Sequence, residues 1–209
     1  MSTEALVHPP FVDRQRQDEA YTLGVWIFLA GEMLFFGALF CGYAIVRSLH
    51  TAEFVYGAKH TDPVFGTINT VLLLTSSAVL TMAERAAVVP WRRAVRILLA
   101  LALALGIGFL ITKGLEYKSD VDKQLFPNAN FSLPPDGARM FFGFYWMITG
   151  VHALHLTIGC AFVGRLLWIS FRKDIVPHQL SVRLSILYWH FVDIIWLFVY
   201  PLLYLAGRG

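Results

Sequence analysis

The sequence predicts an all-α fold, a polytopic membrane helical bundle of about five transmembrane helices. Composition gives the first reason, because the 209 residues are 57% hydrophobic, 15% aromatic and only 15% charged. A water-soluble domain of this size is less apolar. The second reason is segment length, since a helix that crosses ~30 Å of hydrocarbon needs roughly 20 apolar residues. The chain contains five such stretches, which short polar clusters separate.

The five predicted spans follow one another with short connections. They run approximately Tyr21–Val46, Val64–Ala83, Ala94–Thr112, Met140–Ile169 and Leu184–Leu205. Residues 1–20 are polar and contain prolines, without a short apolar core and a small-residue cleavage site. We therefore expect a retained cytoplasmic tail and no signal peptide. Residues 21–209 are predicted to form a single five-helix transmembrane domain.

The distribution of basic residues predicts the orientation, because short loops rich in Arg and Lys stay on the cytoplasmic side. The bases are Arg14 and Arg16 in the tail, Arg85, Arg92, Arg93 and Arg96 in the second connection, and Arg172, Lys173 and Arg183 in the fourth. The first and third connections, residues 47–62 and 116–139, mix acids with bases. We expect the N-terminus inside and the C-terminus outside. This asymmetry and anionic lipid headgroups explain the net charge of +3, so nucleic acid is not expected as a partner.

Three smaller features lie in or beside the spans. The outer loop from Asp120 to Asp136 contains Pro127, Pro134 and Pro135 and is predicted to be a structured cap. Lys113, near the outer end of the third span, is expected to snorkel towards the interface. Cys41 and Cys160 lie in apolar segments without partners at metal or disulfide spacing, which favours small core residues for both.

Five Asp, Glu and His residues lie inside the predicted spans, where a charge is expensive unless it is neutralised or partnered. Glu32 is in the first helix, His152 and His155 in the fourth, and His190 and Asp193 in the last. A rise of ~1.5 Å per residue places most of them at compatible depths. We therefore hypothesise that these groups meet inside the bundle, with Glu32 either neutral or paired to a histidine.

The residues alone leave three interpretations of this group open. A haem or metal site is disfavoured, because the spacing of His152 and His155 does not match paired axial ligands on one helix. A proton or ion pathway uses such residues regularly. A buried structural network is favoured, since the spans contain no proline-interrupted half-helix that would form a transport site. A self-contained membrane enzyme is also disfavoured, because no nucleophile with a base and no phosphate loop is present.

Five stretches along the chain resemble, in the right order, subunit III of the haem-copper respiratory oxidases. Leu23–Phe36 resembles the helix with the family's carbodiimide-reactive carboxylate, and Glu32 takes that position. The other four are Asn69–Ser77, the Glu-Tyr pair of Glu116 and Tyr117, the twin-histidine turn Thr149–His155, and Tyr188–Phe198 with Trp189 and Trp196. The layout resembles the short five-helix bacterial type, which lacks the first two helices of longer members.

The resemblance implies a non-catalytic subunit of a proton-pumping terminal oxidase, which reduces oxygen to water. It implies that this chain binds no cofactor and that haem and copper lie in partner subunits. Subunit I would be the main contact, with subunit II and a small subunit IV as further partners, in a bacterial plasma (inner) membrane. The family's V-shaped cleft implies structural phospholipids, and its role implies support of proton uptake, protection from turnover-linked inactivation and a route for oxygen.

Several identities stay open under this resemblance. A cytochrome c oxidase is favoured, and the alternatives are a quinol oxidase subunit III, a homologue associated with nitric oxide reductase, and an unrelated transporter. Candidate lipid headgroup contacts are the aromatic and basic residues near the inner boundary, namely Trp91, Arg92, Arg93, Arg96, Arg165 and Arg172. Ordinary positive-inside anchoring is the alternative for these residues.

Overall fold

The computed structural model of the chain describes residues 13–89, 91–128, 131–134, 136–172 and 179–206, and these are helical apart from short connections. The helices are α1 Arg14–Leu49, α2 Thr51–Lys59, α3 Pro63–Val88, α4 Arg92–Asp122, α5 Asp136–Arg172 and α6 Gln179–Tyr200, with a π-helical turn at Pro201–Leu205. All but α2 are long and apolar enough to cross a membrane. The predicted fold class of five membrane helices is therefore confirmed. The tail to residue 12, Lys173 and Pro135 lie outside the described residues.

The predicted spans are correct in number and order, but their ends differ from the structure. The prediction placed Glu116 in the third connection. In the structure α4 continues to Asp122, so Glu116 lies within a helix. The helix α2, nine residues long, was not predicted; it buries Phe54, Gly57 and Ala58 against its neighbours. The long helices continue beyond their apolar stretches into charged residues, as α4 does up to Asp122. The end of an apolar stretch therefore does not mark the end of its helix.

Helices α3 to α6 form a closed bundle, in which α3 packs on α4 and α6, and α5 packs on α4 and α6. The buried residues of α3 and α4 alternate in steps of three and four, the spacing of left-handed helix packing. In α4 they are Val95, Leu99, Ala102, Gly106, Phe109, Lys113, Glu116 and Asp120. In α3 the seam is Gly66, Asn69, Leu73, Ser76, Leu80, Ala83 and Ala87.

Trp189 fixes the centre of this bundle. A Cβ added at Gly106 would lie 2.5 Å from the Trp189 ring, so only glycine lets α4 approach α6 this closely. The indole Nε1 donates a hydrogen bond to Ser76 Oγ at 3.1 Å. Trp189 therefore connects α6 to both α3 and α4.

Helix α1 lies at the side of the bundle and contacts it along a narrow stripe. Its buried apolar residues, Leu29, Phe36 and Tyr43, are seven residues apart, which places them on one face. Large apolar residues on its other faces, such as Met33 and Leu34, are exposed in the isolated chain. A groove therefore separates much of α1 from α5 and α6.

The π-helical turn at the end of α6 joins this peripheral helix to the bundle. It begins at Pro201, which has no backbone N–H and interrupts the α-helical ladder. The Tyr43 hydroxyl on α1 donates to the Leu202 carbonyl at 2.8 Å, and the Thr61 hydroxyl lies 3.4 Å from the Leu203 carbonyl. Side chains from α1 and the loop before α3 thus bind carbonyls that the turn presents.

Candidate functional site

Glu32 and His155 form a pair across the groove between α1 and α5. Glu32 Oε2 lies 3.0 Å from His155 Nε2. His155 Nδ1 lies 2.8 Å from the Val151 carbonyl, which can only accept, so Nδ1 carries a hydrogen. The contact with the carboxyl group therefore needs one further proton between Nε2 and Oε2, on either atom.

The pair is close to the surface of the isolated chain, with side-chain exposures of 12% for His155 and 21% for Glu32. Phe36 packs edge-on against the His155 ring, with 5.2 Å between centroids. The Tyr188 hydroxyl donates to the His155 carbonyl at 3.1 Å. Tyr188 also lines a cavity of about 550 Å³ in the groove, together with Tyr21, Val25, Phe28, Phe162, Arg165 and Leu184. The pair thus adjoins an apolar groove that contains an arginine.

The other predicted polar residues lie elsewhere. His152 is buried between the rings of Phe109 and Trp196, at centroid distances of 5.5 and 4.9 Å. Neither His152 nitrogen has a hydrogen-bond partner among the described residues. His190 Nδ1 lies 2.5 Å from the Ser77 hydroxyl on α3.

Asp193 is buried, and its Oδ1 has no partner in the part of the chain that the structure describes. The structure therefore brings Glu32 and His155 together. It places His152, His190 and Asp193 between α3, α4, α5 and α6, with no hydrogen bond to Glu32 among the described residues.

A second polar cluster, which the sequence analysis missed, lies towards the C-terminal end of α4, far from the basic residues at its start. Lys113 Nζ donates to Glu116 Oε2 at 3.0 Å, Tyr145 Oη at 3.0 Å and Tyr204 Oη at 2.7 Å. Tyr145 Oη lies 2.9 Å from Asp120 Oδ2. Lys113 is 2% exposed, so the prediction that it snorkels is wrong. Its ammonium group is held instead by a carboxylate and two phenols inside the bundle.

The sequence contains a signal for this cluster. Lys113, Glu116 and Asp120 continue the three-and-four spacing of the apolar seam of α4 through Phe109. Residues on such a seam face the neighbouring helices whatever their polarity. The three charges are therefore directed into the bundle.

Three aromatic residues of the quoted motifs also bridge helices. Tyr117 on α4 shares a hydrogen bond of 2.7 Å with Thr149 on α5. The Trp196 indole donates to Thr70 Oγ1 at 3.0 Å, as Trp189 does to Ser76. These groups hold α3, α4, α5 and α6 together.

The candidate headgroup residues differ in their surroundings. Arg96 donates to the Ser170 carbonyl at 2.8 Å and lies over the Phe171 ring. Arg172 lies 5.0 Å over the ring of Trp168. The side chains of Trp91, Arg92, Arg93 and Arg165 are exposed.

The described residues contain no group of three or more His, Cys, Asp or Glu side chains that could hold a metal ion. Both cysteines have free thiols. Cys160 is buried, as predicted, whereas Cys41 is exposed. The prediction of a core position is therefore wrong for Cys41, which lies outside the narrow buried stripe of α1.

The chain is similar to known proteins over most of its length. A family model described as cytochrome c oxidase subunit III matches residues 12–208. The chain is 30% identical to cytochrome c oxidase subunit 3 of Thermostichus vulcanus over 188 residues, 89% of this chain and 87% of the relative. It is 32% identical to cytochrome c oxidase subunit 3 of Yarrowia lipolytica over 192 residues, 88% of this chain and 67% of the relative. It is also 30% identical to quinol oxidase subunit 3 of Bacillus spizizenii over 188 residues, 90% and 87% of the two chains.

Proposed function

The chain belongs to the cytochrome c oxidase subunit III family, and on this premise we propose that it is the non-catalytic subunit III of a proton-pumping terminal oxidase. It is a multi-pass membrane protein. In this proposal its partners carry the haem and copper centres and reduce oxygen to water, subunit I is its main contact, and subunit II and a small subunit IV complete the complex. The membrane is proposed to be the plasma membrane of a bacterium, with the N-terminus inside.

The electron donor is proposed to be cytochrome c, and quinol is the second candidate. Both donors are retained as candidates because the chain is equally similar to relatives of both kinds. A cytochrome c oxidase subunit 3 and a quinol oxidase subunit 3 each have 30% identity to it, with similar coverage. A donor site would lie on other subunits. The donor is therefore tested on the purified complex and not on this chain.

The Glu32–His155 pair carries the proposed role of this chain. It joins α1 to α5, two helices that otherwise contact each other little. A carboxyl group that shares a proton with a histidine beside a groove is suited to hold α1 in place and to exchange that proton with the catalytic subunit. We propose that the pair supports proton uptake by the complex and resistance to turnover-linked inactivation.

The groove between α1 and the bundle is proposed to hold phospholipid. Its cavity of about 550 Å³ is lined by aromatic and aliphatic side chains, with Arg165 among them. Apolar walls suit acyl chains, and an arginine suits a phosphate oxygen. Arg92 and Arg93, exposed at the inner boundary, are proposed to contact anionic headgroups as well.

Purification of a tagged chain from its native membranes in mild detergent tests the proposal. Haem absorbance and a large haem-binding partner, identified by mass spectrometry, are the expected result. Oxidation of reduced cytochrome c or of quinol by the complex then distinguishes the two donors. A chain that arrives alone and colourless would contradict the assignment and favour an unrelated transporter.

A further inference from the structure

The buried cluster at the end of α4 contains more hydrogen bonds than its ammonium and phenol hydrogens can supply. Lys113 donates three bonds, one each to Glu116, Tyr145 and Tyr204. Tyr204 Oη and Tyr145 Oη each lie 2.8 Å from Glu116 Oε1. Tyr145 Oη also lies 2.9 Å from Asp120 Oδ2. These are six polar contacts among five side chains.

The available hydrogens number five. An ammonium group has three and each phenol has one. The three ammonium hydrogens of Lys113 make the bonds to Glu116, Tyr145 and Tyr204. The Tyr204 hydroxyl donates its hydrogen to Glu116. The single Tyr145 hydrogen serves one of its two carboxylate neighbours. The remaining contact, at normal hydrogen-bond length, lacks a hydrogen if both carboxyl groups are ionised.

We infer that the cluster binds one additional proton and that Asp120 carries it. With this proton, Asp120 donates to Tyr145 Oη, whose own hydrogen then goes to Glu116, so every contact has a donor and an acceptor. Glu116 is the less suitable carrier, because the Lys113 ammonium donates to it directly, whereas Asp120 receives no hydrogen bond from the ammonium among the described residues. The cluster then contains one positive and one negative charge and is neutral as a whole.

Charge balance supports the same assignment. Glu116 and Asp120 are 1% and 4% exposed, and Lys113 is 2% exposed. Two ionised carboxylates beside one ammonium would leave a net negative charge in the bundle, where unpaired charge is expensive. Two further groups face the cluster: the Tyr117 ring, 4.7 Å from Lys113 Nζ, and the exposed Lys123 at the end of α4, whose charge acts on Asp120.

Asp120 is also the member of the cluster best placed to exchange a proton with water. It lies two residues before the end of α4 at Asp122, and about 10 Å of helix separates it from Lys113 at ~1.5 Å per residue. The site is thus a proton-binding carboxyl group, distinct from the Glu32–His155 pair and independent of the proposed function.

Infrared difference spectroscopy of the chain, purified with its native partners, tests this inference. The difference between wild type and Asp120→Asn is expected to show the loss of one C=O band of a protonated carboxylic acid. Asp122→Asn, an exposed residue on the same helix, is the matched control and should leave that region unchanged. Asn has the shape and a donor similar to the neutral acid, so Asp120→Asn should also assemble at the wild-type level.

Three results would overturn the inference. Identical carboxylic acid bands in wild type and Asp120→Asn would mean that Asp120 is ionised and that Tyr145 shares its hydrogen between two carboxylates. Loss of the band in Glu116→Gln, with the band retained in Asp120→Asn, would place the proton on Glu116. Failure of Asp120→Asn to assemble, while Asp122→Asn assembles, would show that the cluster requires a charge at this position.

Discussion

Replacing Lys113 with methionine tests the burial of its charge. The ammonium lies 3.0 Å from Glu116 Oε2, and both side chains are almost fully buried. The variant leaves the Glu116 carboxylate with only the Tyr145 and Tyr204 hydroxyl groups as donors. Removing one partner of a buried ion pair costs about 3–5 kcal/mol. At about 1.4 kcal/mol per tenfold change, the unfolding equilibrium should shift by roughly two to three and a half powers of ten.

The two cysteines provide the assay. Cys160 is buried and Cys41 is exposed, so in a Cys41→Ser background a thiol-reactive dye reports only the opening of the bundle. The rate of Cys160 labelling is measured in mild detergent as a function of denaturant concentration or temperature. This dependence gives the free energy of opening. Lys118→Met is the matched control, because Lys118 is exposed on the same helix and should change the free energy by less than ~0.5 kcal/mol. Adding Glu116→Leu to Lys113→Met should recover part of the loss.

Equal stability of the Lys113→Met and Lys118→Met variants would refute this reasoning. Such a result would mean that the Lys113 ammonium reaches the interface, as the snorkelling interpretation of the sequence expected. A further loss on adding Glu116→Leu would also contradict the account, because it would show that the carboxylate is stable without the ammonium.

The remaining predictions concern the groove pair and the centre of the bundle. Glu32→Ala should reduce carbodiimide labelling of the chain and leave the initial electron-transfer rate unchanged, and loss of haem absorbance from the assembled complex would contradict this. Ser76→Ala should lower the stability in the Cys160-labelling assay by about 1–3 kcal/mol, because the buried Trp189 Nε1–H loses its acceptor; no change would mean that another acceptor replaces it. Gly106→Ala should cost about 1–3 kcal/mol through overpacking against Trp189. Gly114→Ala, with nothing within 4 Å of the added Cβ, should not destabilise, and an equal loss in both variants would refute the packing argument.

The sequence predicted the number and order of the membrane helices because hydrocarbon thickness sets a length that apolar stretches reveal. It did not predict the helix ends, since the helices continue into charged residues such as those between Thr112 and Asp122. It also missed α2, whose nine residues are too few for a clear period. Its amphipathic signal is short, since the buried Gly57 and Ala58 follow the buried Phe54 by three and four residues.

The candidate site was predictable only in part. Depth along the membrane indicated that Glu32 and His155 lie at compatible heights, but it contains no information on how each helix is rotated about its axis. His152 and His155, three residues apart, therefore meet different surroundings, the ring-lined core and the groove. Lys113 was misassigned because it was considered as an isolated charge, whereas its position on the seam of α4 decides its direction.

Comparison of the purified complex with and without this chain tests the central proposal most directly. After removal of the chain by detergent, the remaining complex should keep its haem absorbance and its initial rate of oxygen consumption. It should then lose activity in fewer turnovers than the complete complex, and adding back the wild-type chain should restore its lifetime while the Glu32→Ala chain does not. Loss of haem absorbance together with the chain would contradict a non-catalytic role, and equal lifetimes with and without the chain would contradict the protective one.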